Sequence, residues 1–277
     1  MSDNIYNLLE DESQLIEQAN GWFGSLSQIE EPELDDLTKQ VVSRSLETYE
    51  YTNLETGQKI ISPSTNFYEY FEKSTVEKRL KTVNRNRPPY NQLKTDDQIR
   101  KFWETKTNQV IKNGLAFHNV LDLTFKSGLQ QIKDPLIERK YKLFLEWWPK
   151  FLKKNPKWRP YRSEWTIYDP KSNRCGTVDF AMVHQDDSDL LMIIDWKSVD
   201  KITNHSPFLF GSGPFQNYSH SNKVKFSFSM NYYREILTRA YHKKVTQMLI
   251  INFNPSKNKV TVIPCLDFSQ EMDLIWN

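Results

Sequence analysis

Residues 190–199 read LLMIIDWKSV, and the end of this stretch decides how the whole chain is read. Its first five residues form an unbroken apolar run, the pattern of a strand buried on both faces. Asp195 and Lys197 follow two apart, with Trp196 between them. Side chains alternate along a strand, so this acid and this base share a face at the edge of what should be core. They form either a neutralised ion pair or a place where chemistry is done, and the stretch alone does not choose.

The sequence immediately upstream has the same two-residue period. Residues 161–169 (YRSEWTIYD) alternate, residues 169–173 are turn-forming, and residues 176–184 (GTVDFAMVH) give a second strand pattern. A polar turn at 185–189 leads into LLMII. Two short turns joining three strands predict an antiparallel meander. Such a meander brings Asp179 and Asp195 side by side, and two carboxylates in contact repel unless a cation lies between them. Hard cations such as Mg²⁺ take oxygen ligands, usually including one or two carboxylates. Phosphodiester hydrolysis uses a cation in this way, together with an oriented water and a charge such as that of Lys197 to stabilise the developing anion.

Before the meander the period is helical. Thr95 with Gln98 three residues on marks a helix start, and Ile99, Phe102, Trp103, Val110 and Ile111 follow at helical spacing. Gly114 interrupts, after which Leu115, His118, Leu121, Asp122 and Phe125 continue a helical face. Asp134-Pro135 caps a second helix whose apolar stripe runs from Ile137 through Tyr141, Phe144 and Trp148 to Leu152. After the meander come a polar loop over 200–222, an aromatic helix over 225–241, and strands over 245–253 and 260–264. The order helix, three strands, helix, strand, strand predicts a mixed α/β core. Residues 1–50 read as an acidic extension, helical or partly disordered, and residues 51–277 as the functional body.

Composition removes several classes. A chain of 277 residues, 38% hydrophobic and 26% charged, can bury a full core and is composed like a soluble globular protein. No 18-residue apolar run exists, so no membrane span is expected. The start, MSDNIYNLLEDES, lacks the basic and apolar regions of a secretion signal. An intracellular protein, cytoplasmic or nuclear, is therefore expected, with Cys175 and Cys265 reduced. Two thiols also cannot build a four-cysteine iron–sulfur cluster or structural zinc site. Charge is uneven along the chain. Residues 28–36 (QIEEPELDD) are acidic, whereas residues 73–94 carry Lys73, Lys78, Arg79, Lys81, Arg85, Arg87 and Lys94. The basic segment either follows a phosphate backbone or is an ordinary solvated loop.

Taken together, the motifs resemble a PD-(D/E)XK nuclease of the RecB-like branch, which includes lambda exonuclease and many viral and phage enzymes. That branch has a helix with G-x-x-x-H, a G-x-x-D strand, a (D/E)-x-K strand and a helix with Q-x-x-x-Y. Residues 114–118 (GLAFH), 176–179 (GTVD) and 195–197 (DWK) supply the first three in order. Residues 229–233 (SMNYY) occupy the fourth, with Ser229 where the family has Gln and Tyr233 in place. The resemblance covers roughly residues 50–265. It implies a restriction-endonuclease-like core of order αβββαβ, with the N-terminal helical extension outside it.

By that resemblance Asp179, Asp195 and the Trp196 carbonyl hold Mg²⁺ or Mn²⁺, one ion or two, with His118 as an additional ligand. Lys197 positions the attacking water, and Glu164 supports the metal, its waters or a second ion. Tyr233 and Arg234 contact DNA or brace the site, and Ser229 takes the place of a substrate-contacting Gln. Asp122, four residues after His118, is a further candidate. The implied activity is a metal-dependent deoxyribonuclease, an exonuclease on DNA ends or single strands that leaves 5′-phosphates and serves replication, recombination or repair. The alternatives are an endonuclease on RNA or structured DNA, and an inactive nucleic-acid-binding module. DNA is the expected partner, with RNA second, and the acidic N-terminal segment is a candidate surface for a protein partner.

Overall fold

The computed structural model describes residues 42–44, 50–206 and 209–276. A small antiparallel sheet comes first, in the order β1 (Val42–Arg44), β2 (Tyr51–Asn53) and β3 (Lys59–Ile60). Val42–Arg44 is thus a strand, where the sequence suggested a helical or disordered extension; residues 1–41 and 45–49 lie outside the described residues. Two helices follow, α1 (Pro63–Tyr70) and α2 (Val76–Thr82). Each starts at a hydroxyl side chain that accepts a first-turn N–H, Ser62 from Thr65 and Thr75 from Lys78.

Helix α3 (Asp96–Ser127) is 32 residues long, about 48 Å at the usual rise per residue. Thr95 and Gln98 form the expected capping box. Gly114 does not break the helix. A mid-helix glycine costs about 1 kcal/mol relative to Ala, and α3 is held by apolar packing at both ends. Ile99 and Trp103 pack with Leu80 of α2 into a small separate cluster, while Phe117, Leu121 and Phe125 join the main core. The span between, residues 104–112, is exposed. Helix α4 (Pro135–Lys154) starts at Asp134, whose carboxylate accepts the N–H groups of Leu136 and Ile137.

The centre of the molecule is a five-stranded mixed sheet in sequence order: β4 (Trp158–Asp169), β5 (Arg174–His184), β6 (Leu190–Lys197), β7 (Lys244–Asn254) and β8 (Lys259–Pro264). β4, β5 and β6 form the antiparallel meander that the turns predict. The helix α5 (Asn222–Tyr241) then carries the chain across one face, so that β7 lies parallel to β6 and β8 returns antiparallel to it. A last helix, α6 (Ser269–Trp276), adds to the α5 face. The molecule is therefore mixed α/β.

Each sheet face is buried under helices, which is why LLMII shows no polar alternation. Phe117, Leu121 and Phe125 of α3 and Phe144, Trp148 and Phe151 of α4 pack on Phe180, Met192, Ile194 and Trp196. Phe228, Tyr232 and Ile236 of α5 pack on Ile167, Val178, Ala181, Leu191 and Ile193. Trp103, Trp148 and Trp165 are buried, in keeping with a core role. No disulfide joins Cys175 and Cys265. No helix among the described residues is long and apolar enough to cross a membrane.

Candidate functional site

The sheet splits at one place. β5 and β6 are paired only as far as Phe180 and Ile194, yet β6 continues to Lys197, held by β7 through Asn252. Asp195, Trp196 and Lys197 therefore lack a β5 partner. On β5 the faces also invert: Val178 packs under α5, but Phe180 two residues on packs under α3 and α4. A regular strand would put both on one face. Across from Asp179 on β4 stands Glu164, between the pairs Ser163–Phe180 and Trp165–Val178. Its φ of 45° is in the left-handed region. The β4–β5 ribbon thus turns away from β6 at Glu164 and Asp179, and a cleft opens.

Polar groups from both faces meet in that cleft. Asp179 replaces the missing ladder bond, its Oδ2 accepting the Trp196 N–H at 2.9 Å. His118 enters from α3, donating from Nε2 to the Trp196 carbonyl at 2.9 Å. Its Nδ1 lies 3.3 Å from Glu164 Oε1 and 3.6 Å from Asp179 Oδ2. Lys197 Nζ donates to Asp195 Oδ1 at 2.6 Å and to the same Trp196 carbonyl at 3.3 Å, and lies 4.9 Å from the centre of the Phe226 ring. The Trp196 side chain is buried on the opposite face against Phe144, Phe180 and Phe253.

Electrostatics follow from this crowding. Burial disfavours the His118 imidazolium, but Asp179 and the Glu164 hydrogen bond outweigh it and hold the pKa up at about 8. A ring that donates to a carbonyl from Nε2 while facing two carboxylates with Nδ1 is indeed best protonated on both nitrogens. Burial pushes Asp195 up to about 6; the Lys197 ammonium opposes this and the Asp179 charge adds to it. Burial alone would lower Lys197, yet Asp195 and Asp179 raise it, so it stays an ammonium. Among the described residues, Asp195 Oδ2 is buried without a hydrogen-bond partner.

These groups fit a hard divalent cation. One ligand atom each from His118, Glu164 and Asp179 lies within 4.8 Å of the others. The orphaned Asp195 oxygen is a further acceptor one strand away. Two carboxylates and a carbonyl suit Mg²⁺ or Mn²⁺, and the imidazole inclines the set towards Mn²⁺. Glu164, expected in a supporting place, stands in the tightest group, whereas Asp195 is turned to Lys197.

The remaining expected residues are placed differently. Tyr233 lies against the backbone of Gly176, where a Cβ would overlap its ring carbons. Ser229 Oγ donates to the Lys225 carbonyl of its own helix. Arg234 is committed to Asp267 at 2.8 Å and to Glu235 at 3.5 Å. Asp122 pairs with Lys126 one turn further along α3. Asn252 was not singled out from sequence, yet its amide bonds both the N–H and the carbonyl of Val199 at 2.9 Å, extending β6 past Lys197. An Asn ending an apolar run (MLIINFN) is the only signal of it. No protein-family model matches this sequence, and no curated protein matches it either.

Proposed function

We propose that the chain is a divalent-metal-dependent nuclease with a restriction-endonuclease-like core, acting as an exonuclease on DNA ends or single strands and leaving 5′-phosphates. One observation carries this reading: one ligand atom each of His118, Glu164 and Asp179 lies within 4.8 Å of the others where β5 and β6 part, beside a lysine held as an ammonium. A Mg²⁺ or Mn²⁺ ion in that group would neutralise a phosphate and lower the pKa of a bound water. The chain's own residues do the rest. Lys197 is protonated and serves as a hydrogen-bond donor to the attacking water and the phosphate, not as a base. Asp195 orients that ammonium, and Asp179 ties the Trp196 backbone to the cleft wall. Helix α3 brings His118 to the cleft and carries the basic segment at its other end, which supports a polyanionic substrate.

The test is digestion of linear single-stranded DNA, linear duplex, circular single-stranded DNA and RNA in Mn²⁺, Mg²⁺ or a chelator. Linear DNA should be consumed only with a divalent ion, and Asp179→Ala and Lys197→Ala should each lose at least about a thousandfold in rate, the scale of a removed electrostatic group. Full activity in either variant, with an unchanged far-ultraviolet spectrum, would sink the reading. Cleavage of the circle would replace the exonuclease with an endonuclease.

A further inference from the structure

A second concavity lies on the sheet face that carries Lys197. Trp196 packs under α3 and α4 while Leu191 and Ile193 pack under α5, so alternation along β6 turns Lys197 to the α5 face. Lys197 pairs with Asn252 of β7, which in turn pairs with Thr261 of β8. Ile251, Phe253 and Val260 pack on the α3–α4 side, which leaves Asn252, Asn254, Lys259 and Thr261 on the face of Lys197. Thr261 therefore stands two strand spacings from Lys197, about 10 Å. Together with Lys201 and Lys257, those four residues line a pocket of about 190 Å³. Ile263, level with Asp195 across Ile250, lines it too.

Buried amides hold the pocket in shape, and its charge is one-sided. The Asn252 amide bonds both backbone groups of Val199, and the Asn254 amide donates to the Asp200 carbonyl at 2.8 Å. Asn254 Oδ1 also accepts the Lys257 N–H at 3.0 Å, so the segment carrying Lys201 and the turn carrying Lys257 are both tied to β7. Lys201, Lys257 and Lys259 are exposed, and among the described residues none of them is in an ion pair, unlike Lys157 and Lys243. Asp200 is the one carboxylate lining the pocket, and its Oδ1 is 3.5 Å from Ser256 Oγ. Clefts dominated by one sign of charge concentrate counter-ions. The volume is below the roughly 300–1,000 Å³ of sites that enclose a drug-sized ligand, and it suits a compact anion such as a phosphate group. The charges of the site reach this side of the sheet. Burial pushes the thiol of Cys265, just past β8, up to about 12; the Asp195 carboxylate adds to this, while a Ser227 hydrogen bond, Lys223 and Lys197 oppose it.

We propose that Lys201, Lys257 and Lys259 hold one backbone phosphate of the nucleic-acid strand that is cut at the site, so that the strand crosses the α5 face of the sheet from Lys197 towards β8. This rests on the nuclease reading. Basic grooves that track the backbone in this way are the usual means of holding a single strand without reading its sequence. The contact is ionic and hydrogen-bonded, and no proton is transferred.

The experiment measures cleavage of a linear single-stranded oligonucleotide in Mn²⁺, and its binding in Ca²⁺ over a salt series. It compares wild type with the pocket variant Lys201→Gln, Lys257→Gln, Lys259→Gln. A control loses the same charge from exposed positions of α4, on the other side of the sheet, by Lys150→Gln, Lys153→Gln and Lys154→Gln. The pocket variant should bind about tenfold more weakly and flatten the log–log salt slope by about 0.7, one phosphate contact on a single strand. The control should keep the wild-type slope, and both variants should keep the wild-type far-ultraviolet spectrum. A parallel set of oligonucleotides carries one neutral methylphosphonate at each linkage near the cleaved bond. One position should weaken wild type and leave the pocket variant unaffected, because both changes remove the same contact. Three results would each show the subsite wrong while the nuclease reading stands, given that wild type cleaves: the pocket variant keeps affinity and slope, the control loses as much, or no methylphosphonate position separates the two proteins. If wild type cleaves nothing, both fall.

Discussion

Glu164 accepts a backbone conformation that side chains with a Cβ normally avoid, with φ at 45°. The left-handed region costs an ordinary residue roughly 1–2 kcal/mol, and here it buys the turn that swings a carboxylate towards His118 and Asp179. Replacing it separates fold from function. Glu164→Gly should melt in chelator at or above the wild-type temperature, while the rise in melting temperature produced by Mn²⁺ falls by at least half. A large loss of stability with the Mn²⁺ response intact would show that the strain serves packing instead. His118 and Asp195 make a second prediction, on pH. Both folded-state pKa values, about 8 and about 6, are raised above the reference values of about 6.5 and 3.9. Their stabilising contributions are complete below those reference values and are lost as pH rises through about 6 for Asp195 and about 8 for His118. The ion-free protein should therefore lose stability between about pH 4 and 8. An ion must displace the His118 proton, so the melting-temperature gain from Mn²⁺ should grow from pH 6 to pH 8. A flat response across that range would remove His118 from the ligand set.

At the scale of elements, the site exists because β5 leaves β6 early while β7 does not. Asp179 caps the vacated Trp196 N–H, and Asn252 extends β6 beyond its own pairing, so the DWK end is fixed from both sides. Helix α5 presses Tyr233 onto Gly176, at the start of the G-x-x-D strand. Glycine is needed there for close approach and not for a special φ. Gly176→Ala should destabilise the protein by about 1–3 kcal/mol, the scale of overpacking. Combining it with Tyr233→Ala should give less than the sum of the two single effects, because the pair shares one contact. Additive losses in denaturant titrations would mean that Tyr233 does not bear on Gly176 in solution.

For the molecule as a whole, two helical layers enclose one sheet, and α3 reaches out of that body to a satellite cluster of Leu80, Ile99 and Trp103. Much of the satellite's charge is internally paired: Lys78 with Glu72, Arg85 with Asp96, Arg100 with Glu77, and Arg79 over the Trp103 ring at 4.3 Å. Lys81, Arg87 and Lys94 are exposed. Neutralising those three should weaken nucleic-acid binding and flatten its salt dependence, by up to about 2 in log–log slope on a single strand. The rate at saturating substrate should not move, since the cluster stands apart from the cleft. An unchanged slope would return the arm to the reading of an ordinary solvated surface.

The sequence by itself determined what is local and periodic. Alternation over 161–169 and 176–184, the apolar run LLMII, the Thr95 capping box and the Asp134-Pro135 start are all present as the side-chain pattern requires, because period and capping chemistry act within a few residues. That Gly114-x-x-x-His118 lies on a helix and DWK at the end of a strand was also legible, as was the placing of the Trp196 side chain away from Asp195 and Lys197. The small first sheet, α1, α2 and α6 were not legible, since their few core positions gain burial only from distant partners. Only the tertiary structure decided that Glu164 joins His118 and Asp179, that Asp195 turns to Lys197, and that Arg234 is held by Asp267. A left-handed φ and a split ladder leave no local pattern; each arises where separate elements compete for the same space.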